Sequence, residues 1–276
     1  MPTVAQALIA GRAQGVDRLD AQMILAWVLG QSRSWIIAHD DTTLDEAQTE
    51  TVRASFARRA AGEPLAYLLG EKEFHGLRLR VDASVLVPRP DTEVLVDWAL
   101  ELLAGKDAPR VVDLGTGSGA IALAVKHGCR DASVLATDAS PAALEVARGN
   151  ARRLGLEVGL AQGSWWSALA AERFDLVLSN PPYIAAGDPH LAALSHEPSL
   201  ALTPGGDGLG ALREIIAGAA THMRPGAWLL LEHGYDQAEA VQALLREHGF
   251  VAVTTRNDLG GQPRCTGAQD PPPPSV

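Results

Sequence analysis

The chain has only two cysteines in 276 residues, Cys129 and Cys265. That is too few for a disulfide scaffold or a multi-cysteine metal site. Apolar runs long enough to cross a bilayer, about eighteen residues, are lacking as well. The start, Met-Pro-Thr-Val-Ala-Gln, has no basic stretch leading into an apolar one, so a secretory signal is not expected. Basic residues are in deficit, 23 against 33 acidic, for a net charge of −10. This balance disfavours a surface devoted to covering phosphates while leaving room for a local basic groove. Glycine (27) and proline (17) occur without a triplet repeat or biased tract, which excludes fibrous classes. What is present is 47% apolar and 20% charged, enough to bury the core of one large domain or two ordinary ones. The expectation is a soluble cytoplasmic protein with no membrane segment, no direct nucleic-acid partner and a monomeric state.

Residues 1–72 read as a small helical bundle. Leu19, Met23 and Trp27 lie four apart beside Ile24 and Val28 as one apolar stripe, with Asp17 as N-cap and Gly30 as stop. A later helix is expected to open at Thr43, with Glu46 completing a capping box, and to run to Gly62. Residues 73–88 alternate through Phe74, Leu77, Leu79 and Val81 around His75 and Gly76, as a connecting β-hairpin would. From 89 to 268, short apolar runs at 110–114, 133–137, 157–161, 174–179 and 227–232 alternate with helical spacing at 119–128, 141–154, 208–222 and 236–248. This is the grammar of an α/β protein with a parallel, Rossmann-like sheet covered on both faces. Residues 251–255 and 264–266 can add an antiparallel edge pair. The Pro-rich end, 269–276, is expected to be disordered.

The run at 110–114 leads into Gly115-Thr116-Gly117-Ser118-Gly119 and then at once into a helix. Glycines at such a turn let backbone approach a ligand, and the helix start presents free N–H groups. The spacing lacks the third glycine of the dinucleotide fingerprint at its usual place, which argues against a nicotinamide enzyme. Asp138 ends the next strand, nineteen residues beyond Gly119, where an acid accepts hydrogen bonds from ribose hydroxyls; it can also cap the helix at Pro141. The run at 174–179 ends in Asn180-Pro181-Pro182-Tyr183, a poor structural element because both prolines remove donors. The stiff backbone leaves the Asn180 side-chain carbonyl and the Pro181 main-chain carbonyl free to accept from one planar NH2 group. Tyr183 can lie against its π face. Such a clamp favours electron density on the nitrogen as that nitrogen begins to bond.

A Gly-x-Gly-x-Gly loop, an acid on the second strand and Asn-Pro-Pro-Tyr after the fourth resemble the class I S-adenosylmethionine-dependent methyltransferases that act on planar nitrogens. Glu63-Pro64-Leu65-Ala66-Tyr67-Leu68-Leu69-Gly70, then Phe74, then Val87-Pro88-Arg89-Pro90-Asp91-Thr92-Glu93, and finally Glu197-Pro198 before Leu200-Ala201-Leu202, narrow the resemblance. They are similar to the protein-(glutamine-N5) methyltransferases of peptide chain release factors, over nearly the whole chain to about Gly267. The resemblance implies a fold of helical substrate-recognition domain, hairpin and methyltransferase domain. It implies S-adenosyl-L-methionine as cofactor, class I release factors as protein substrate, and methylation of the glutamine of a Gly-Gly-Gln motif. Cofactor contacts are implied for Gly115, Thr116, Gly117, Ser118, Gly119, Asp138, Trp165 and Asn180. Catalytic roles fall to Asn180, Pro181 and Tyr183; substrate binding to those residues with Pro182, Arg89 and Glu93. Arg89 and Glu93 have an equal reading as an ion pair capping the helix near Asp91. Trp165 and Trp166 have an ordinary reading as core. Ser164 replaces the acid often found before that aromatic, so the adenine amino group needs backbone or Gln162 instead.

His190 and His196 flank an acidic loop but lack a third ligand at motif spacing, and no metal is expected. Gly260-Gly261-Gln262 matches the tripeptide methylated in release factors, yet sits in the terminal hairpin, where coincidence in a glycine-rich chain is the simpler reading. A DNA adenine-N6 or cytosine-N4 methyltransferase shares Asn-Pro-Pro-Tyr but is expected to carry a basic target-recognition region, which is absent here. A non-catalytic cofactor-binding adaptor is disfavoured by the intact loop, acid and clamp.

Overall fold

The structure, a computed structural model, describes residues 1–271. The chain divides into two compact units, Met1–Glu71 and the remainder from Lys72. The first holds α1 (Val4–Ala13), α2 (Arg18–Leu29), α3 (Arg33–Ala38), α4 (Glu46–Ala60) and α5 (Leu65–Leu69). Asp17 caps α2 by accepting from Leu19 N–H, and Gly30 ends it in the left-handed conformation at φ 63°. The buried face of α2 differs from the expected stripe. Ile24 and Leu25 are fully buried with Ala21, whereas Leu19 and Trp27 are 48% and 47% exposed. The core of this unit gathers Val4, Ile36, Leu44, Val52 and Phe56, and Ala21, Ile24, Leu25 and Ala26 of α2 are the side chains turned to it. The expected Thr43 cap is also displaced. Thr43 forms an antiparallel bridge with Thr3, keeping its backbone extended, and Asp45 makes the capping box of α4 with Gln48.

From the last residue of the first unit onward, β1 (Glu71–Phe74) and β2 (Leu77–Arg80) form the hairpin, closed by His75 and Gly76 at φ 48° and 77°. Two successive left-handed residues are the geometry that matches strand twist across a two-residue turn. There follow α6 (Glu93–Leu103), β3 (Arg110–Leu114), α7 (Ala120–Gly128), β4 (Ser133–Asp138), α8 (Pro141–Leu154), β5 (Gly159–Gln162) and β6 (Phe174–Ser179). The chain continues through α9 (His190–Ala193), α10 (Gly210–His222), β7 (Met223–Glu232), α11 (Ala238–Glu247), β8 (Val251–Asn257) and β9 (Pro263–Gln269). The hairpin is fastened to α8 rather than standing apart. Asn150 accepts from Arg80 N–H at 2.7 Å and donates to the carbonyls of Arg80 and Ser118.

The seven-stranded sheet has the order β5-β4-β3-β6-β7-β9-β8, parallel except for β9, which runs antiparallel to both neighbours. One face packs on a cluster that includes Leu95, Trp98, Ile121 and Leu123, the other on Leu212, Ile215, Leu229 and Leu245. Chain direction across the sheet reverses between β3 and β6, which opens a crevice at the carboxyl ends of these strands. The expected disorder from 269 needs correction. Gln269 pairs with Trp228, and Asp270 exchanges hydrogen bonds with Ala227 and Gly226, because this end of β9 continues the ladder beside β7. Residues 272–276 of that expectation lie outside the described residues. No helix among the described residues is long and apolar enough to cross a membrane.

Candidate active site at the carboxyl edge of the sheet

A cavity of about 640 Å³ opens at the crevice. Its floor on one side is the loop after β3. Gly115, Gly117 and Gly119 all have positive φ (75°, 55° and 83°), a conformation that side-chain-bearing residues rarely adopt, so the loop's tight path depends on glycine. The loop is tied to β4 through the Thr137 carbonyl, which accepts from both Gly115 and Thr116. Asp138 accepts from Gly117 N–H at 2.9 Å and from Ser140 N–H at 2.8 Å. The helix cap itself is Ser140, whose hydroxyl accepts from Ala143 N–H. Asp138 therefore lines the cavity as a carboxylate braced by the glycine loop. Beneath the loop Asp113, fully buried, accepts from the Thr116 hydroxyl and Ala122 N–H, and burial pushes its carboxyl up to about 7.

Trp165 stands over the loop: a Cβ placed on Gly115 would come within 3.1 Å of its indole ring. Trp165 holds φ 45°, unusual for a bulky residue. Its neighbour Trp166 is structural, donating to the Ile215 carbonyl and stacking on His222 at 4.9 Å. Ser164 lines the cavity beside Trp165, whereas Gln162 pairs with Asp138 within the sheet and is not among the lining residues described. Glycine loop, carboxylate and indole converge on one wall, an arrangement that fits a nucleoside with a charged tail.

The opposite wall is Asn180 and Pro182. Asn180 donates its side-chain NH2 to the Thr92 hydroxyl at 3.2 Å, which leaves its Oδ1 as the free end. Pro181 is buried, and Tyr183 is packed against the core with its hydroxyl donating to Glu232 Oε1 at 3.2 Å. Neither of the two is among the described residues that line the cavity, so the structure brings together Asn180 and Pro182 but not the full quartet. Glu232 is 1% exposed and Thr92 3%. Burial raises the Glu232 carboxyl to about 7 against the opposing effects of Thr92, Arg264 and Tyr183. Burial and the nearby Glu232 push the Tyr183 phenol up.

Arg89 and Glu93 do not pair with each other. Arg89 lines the cavity and binds Glu197, which also accepts from Val87 N–H at 2.9 Å. Glu93 instead accepts from His75 N–H at 3.0 Å, pinning the hairpin turn, and is absent from the cavity wall among the described residues. The expected capping pair of Arg89 and Glu93 is therefore corrected by this geometry. Sequence reasoning passed over Thr92, Glu232 and Gln237, whose amide donates to the Tyr183 carbonyl at 2.9 Å. Only Thr92 left a signal, inside the Pro-Arg-Pro-Asp-Thr-Glu run. Gly260-Gly261-Gln262 forms the turn between β8 and β9, bracketed by hydrogen bonds to Asp258.

Residues 3–70 match the PrmC N-terminal domain, and residues 92–257 match the methyltransferase small domain. A release factor glutamine methyltransferase of Bordetella pertussis is 53% identical over 256 residues, 92% of this chain and 95% of that protein. Another, of Xylella fastidiosa, is 48% identical over 268 residues, 96% of this chain and 98% of that one. Among solved structures, a methyltransferase from Pyrococcus furiosus is similar in fold, with a TM-score of 0.54 at 16% identity, over 82% of this chain and 100% of that chain.

Proposed function

The chain belongs to the release factor glutamine methyltransferase family, and from that premise we propose that it methylates the side-chain amide nitrogen of the Gly-Gly-Gln glutamine in class I peptide chain release factors. Its methyl donor is S-adenosyl-L-methionine, which supplies an electrophilic methyl group on a sulfonium. Gly115 to Gly119 would hold the donor's charged tail with backbone N–H groups, Asp138 its ribose hydroxyls, and Trp165 its adenine.

The observation that carries the reading is the placement of Asn180. Its Oδ1 is the free end of an amide whose nitrogen is tied back to Thr92, and it lines the same cavity as the glycine loop. An amide nitrogen is a poor nucleophile because its lone pair is delocalised into the carbonyl. Asn180 Oδ1 and the Pro181 carbonyl would accept the two N–H bonds of the substrate amide. That holds the nitrogen in place while its lone pair turns toward the donor, and positioning of this kind supplies most of the acceleration. Pro182 stiffens the backbone behind the clamp, and Arg89, held by Glu197, would meet the substrate loop at the rim. Tyr183 would support the clamp from behind, through its bond to Glu232, or reach the amide's π face by a change of rotamer. Residues 1–72 would bind the body of the release factor. The reaction would take place in the cytoplasm with a monomeric enzyme.

Incubation with methyl-labelled S-adenosylmethionine and either a release factor or duplex DNA tests the proposal. Label is expected on the release factor. Label on DNA alone would assign the chain to the amino-methyltransferases of nucleic acid instead.

A further inference from the structure

Two prolines in succession leave a stretch of chain with no N–H by which to hold it. Pro181 and Pro182 restrict their own φ angles, but neither can donate to a neighbour, so the run from Asn180 to Tyr183 depends on anchors at its two ends. The upstream anchor is β6. Ser179 lies in register between Leu114 of β3 and Leu231 of β7, and its hydroxyl donates to the Leu114 carbonyl at 2.7 Å. An equivalent anchor is needed downstream, where β6 has ended.

The peptide joining Tyr183 to Ile184 supplies it. A trans peptide is planar, with its C=O and N–H on opposite sides, and here both sides are bonded. The Ile184 N–H donates to the Leu202 carbonyl at 3.0 Å, and the Tyr183 carbonyl accepts from Gln237 Nε2 at 2.9 Å. Only one orientation of the Gln237 amide satisfies both of its partners. Its Oε1 accepts from Gly234 N–H at 2.8 Å, a group that can only donate, while its Nε2 meets a backbone carbonyl, which can only accept. Gln237 is itself fixed at the start of α11, where its own N–H donates to the Gly234 carbonyl at 2.9 Å. Gly208 packs against the same bond. A Cβ there would lie 2.3 Å from the Tyr183 carbonyl oxygen and 2.9 Å from Gln237 Nε2, so these two atoms take up the space a side chain would need.

We infer that Gln237 is a positioning residue for methyl transfer: by holding the Tyr183 carbonyl it fixes the far end of the run whose Asn180 and Pro182 line the cavity. The inference rests on the methyl-transfer reading for its kinetic consequence but not for its geometry. Gln237→Met keeps the length of the side chain and removes both bonds. It is expected to lower kcat on a class I release factor by about tenfold to a hundredfold, the scale of a misplaced reacting group, with the affinity for S-adenosylmethionine by calorimetry unchanged. Gln237→Glu keeps the shape and an acceptor for Gly234, but its ionised form has no proton for the Tyr183 carbonyl. Protonation returns a donor. The ratio of this variant's kcat to the parental kcat should therefore rise as pH is lowered, while the ratio for Gln237→Met stays flat. Tyr183, Asp207, Glu232, His233, Asp236 and Arg264, the titratable groups of the segments that meet at this bond, are present in all three proteins, so their titration cancels in the ratio.

A second readout needs no turnover. Amide exchange at Ile184 should quicken by about tenfold or more in Gln237→Met, while the amides of β3 keep their parental protection. Unchanged kcat in Gln237→Met, a loss confined to cofactor affinity, a flat ratio for Gln237→Glu, or β3 amides that quicken together with Ile184 would each overturn the inference. If the parent protein methylates no release factor, the methyl-transfer reading fails, and amide exchange alone then decides whether Gln237 holds the peptide after Tyr183.

Discussion

Around the ends of β3 and β4, polar groups are tied to backbone a short way along the chain: Gly117 N–H to Asp138, Ser140 N–H to Asp138, Gly115 and Thr116 to the Thr137 carbonyl. Around the ends of β6 and β7 the ties run from side chain to distant partner. Asn180 reaches Thr92, Tyr183 reaches Glu232, Gln237 reaches the Tyr183 carbonyl, and Glu197 reaches Val87 across 110 residues. The proposed cofactor wall is thus shaped largely by main-chain conformation, which glycine permits, and the proposed substrate wall by the identity of scattered side chains. Substitution on the first wall should register in cofactor binding, and on the second in turnover.

The sharpest way to break this contrast is Asn180→Ala. Loss of one preorganised acceptor costs about 10²–10³ in rate, and kcat should fall with cofactor affinity unchanged. A parallel loss of cofactor binding would show that the two walls are not separable. Asp138→Ala removes charge-assisted bonds worth about 1.5–3 kcal/mol, so calorimetry should show S-adenosylmethionine binding weakened by about tenfold to a hundredfold. If affinity holds, Asp138 serves only the loop and the Ser140 turn. Gly115→Ala places a side chain at φ 75° and close to Trp165, a conformation that costs about 1–2 kcal/mol. Weaker cofactor binding is expected, with turnover at saturating cofactor near the parental value; unchanged binding would mean that the loop's path is not set by glycine there. The smallest effect is expected for Gly11→Ala in the helical unit. Its Cβ would meet the Phe56 ring at 2.9 Å, and the strain of overpacking is partly offset by a helix-propensity gain of about 0.5–1 kcal/mol. Thermal stability should drop slightly and cofactor affinity not at all, since no residue of that core is among those lining the cavity.

The same contrast explains what could be read from the sequence. The bounds of β3, β6 and α8, the cap at Asp17 and the hairpin turn at His75-Gly76 depend on residues adjacent in the chain, and the pattern revealed them. Asp138 was legible for the same reason, at a fixed distance from the glycine loop. Glu232 was not: at the end of an apolar strand it looks like any residue leaving the sheet, and its hydrogen-bond partner Tyr183 comes from the loop after β6. Arg89 and Glu93, four apart, suggested a local pair, but buried Glu197 offers Arg89 a better-desolvated partner, and the hairpin claims Glu93. In α2 the large apolar side chains drew the stripe, whereas the neighbours Phe56 and Ile36 determine the face that is buried. Side-chain size in a helix shows that a face is apolar without showing which way it turns.

The central claim is that the substrate wall directs a methyl group onto an amide nitrogen. It is tested most directly by locating the methyl group itself. A release factor treated with the enzyme and S-adenosylmethionine should yield, by fragmentation mass spectrometry, one added methyl on the side chain of the Gly-Gly-Gln glutamine, and none when that glutamine is replaced by glutamate or when Asn180→Ala enzyme is used. A methyl group found on another residue, or on the same glutamine at parental rate with the Asn180→Ala enzyme, would contradict the account.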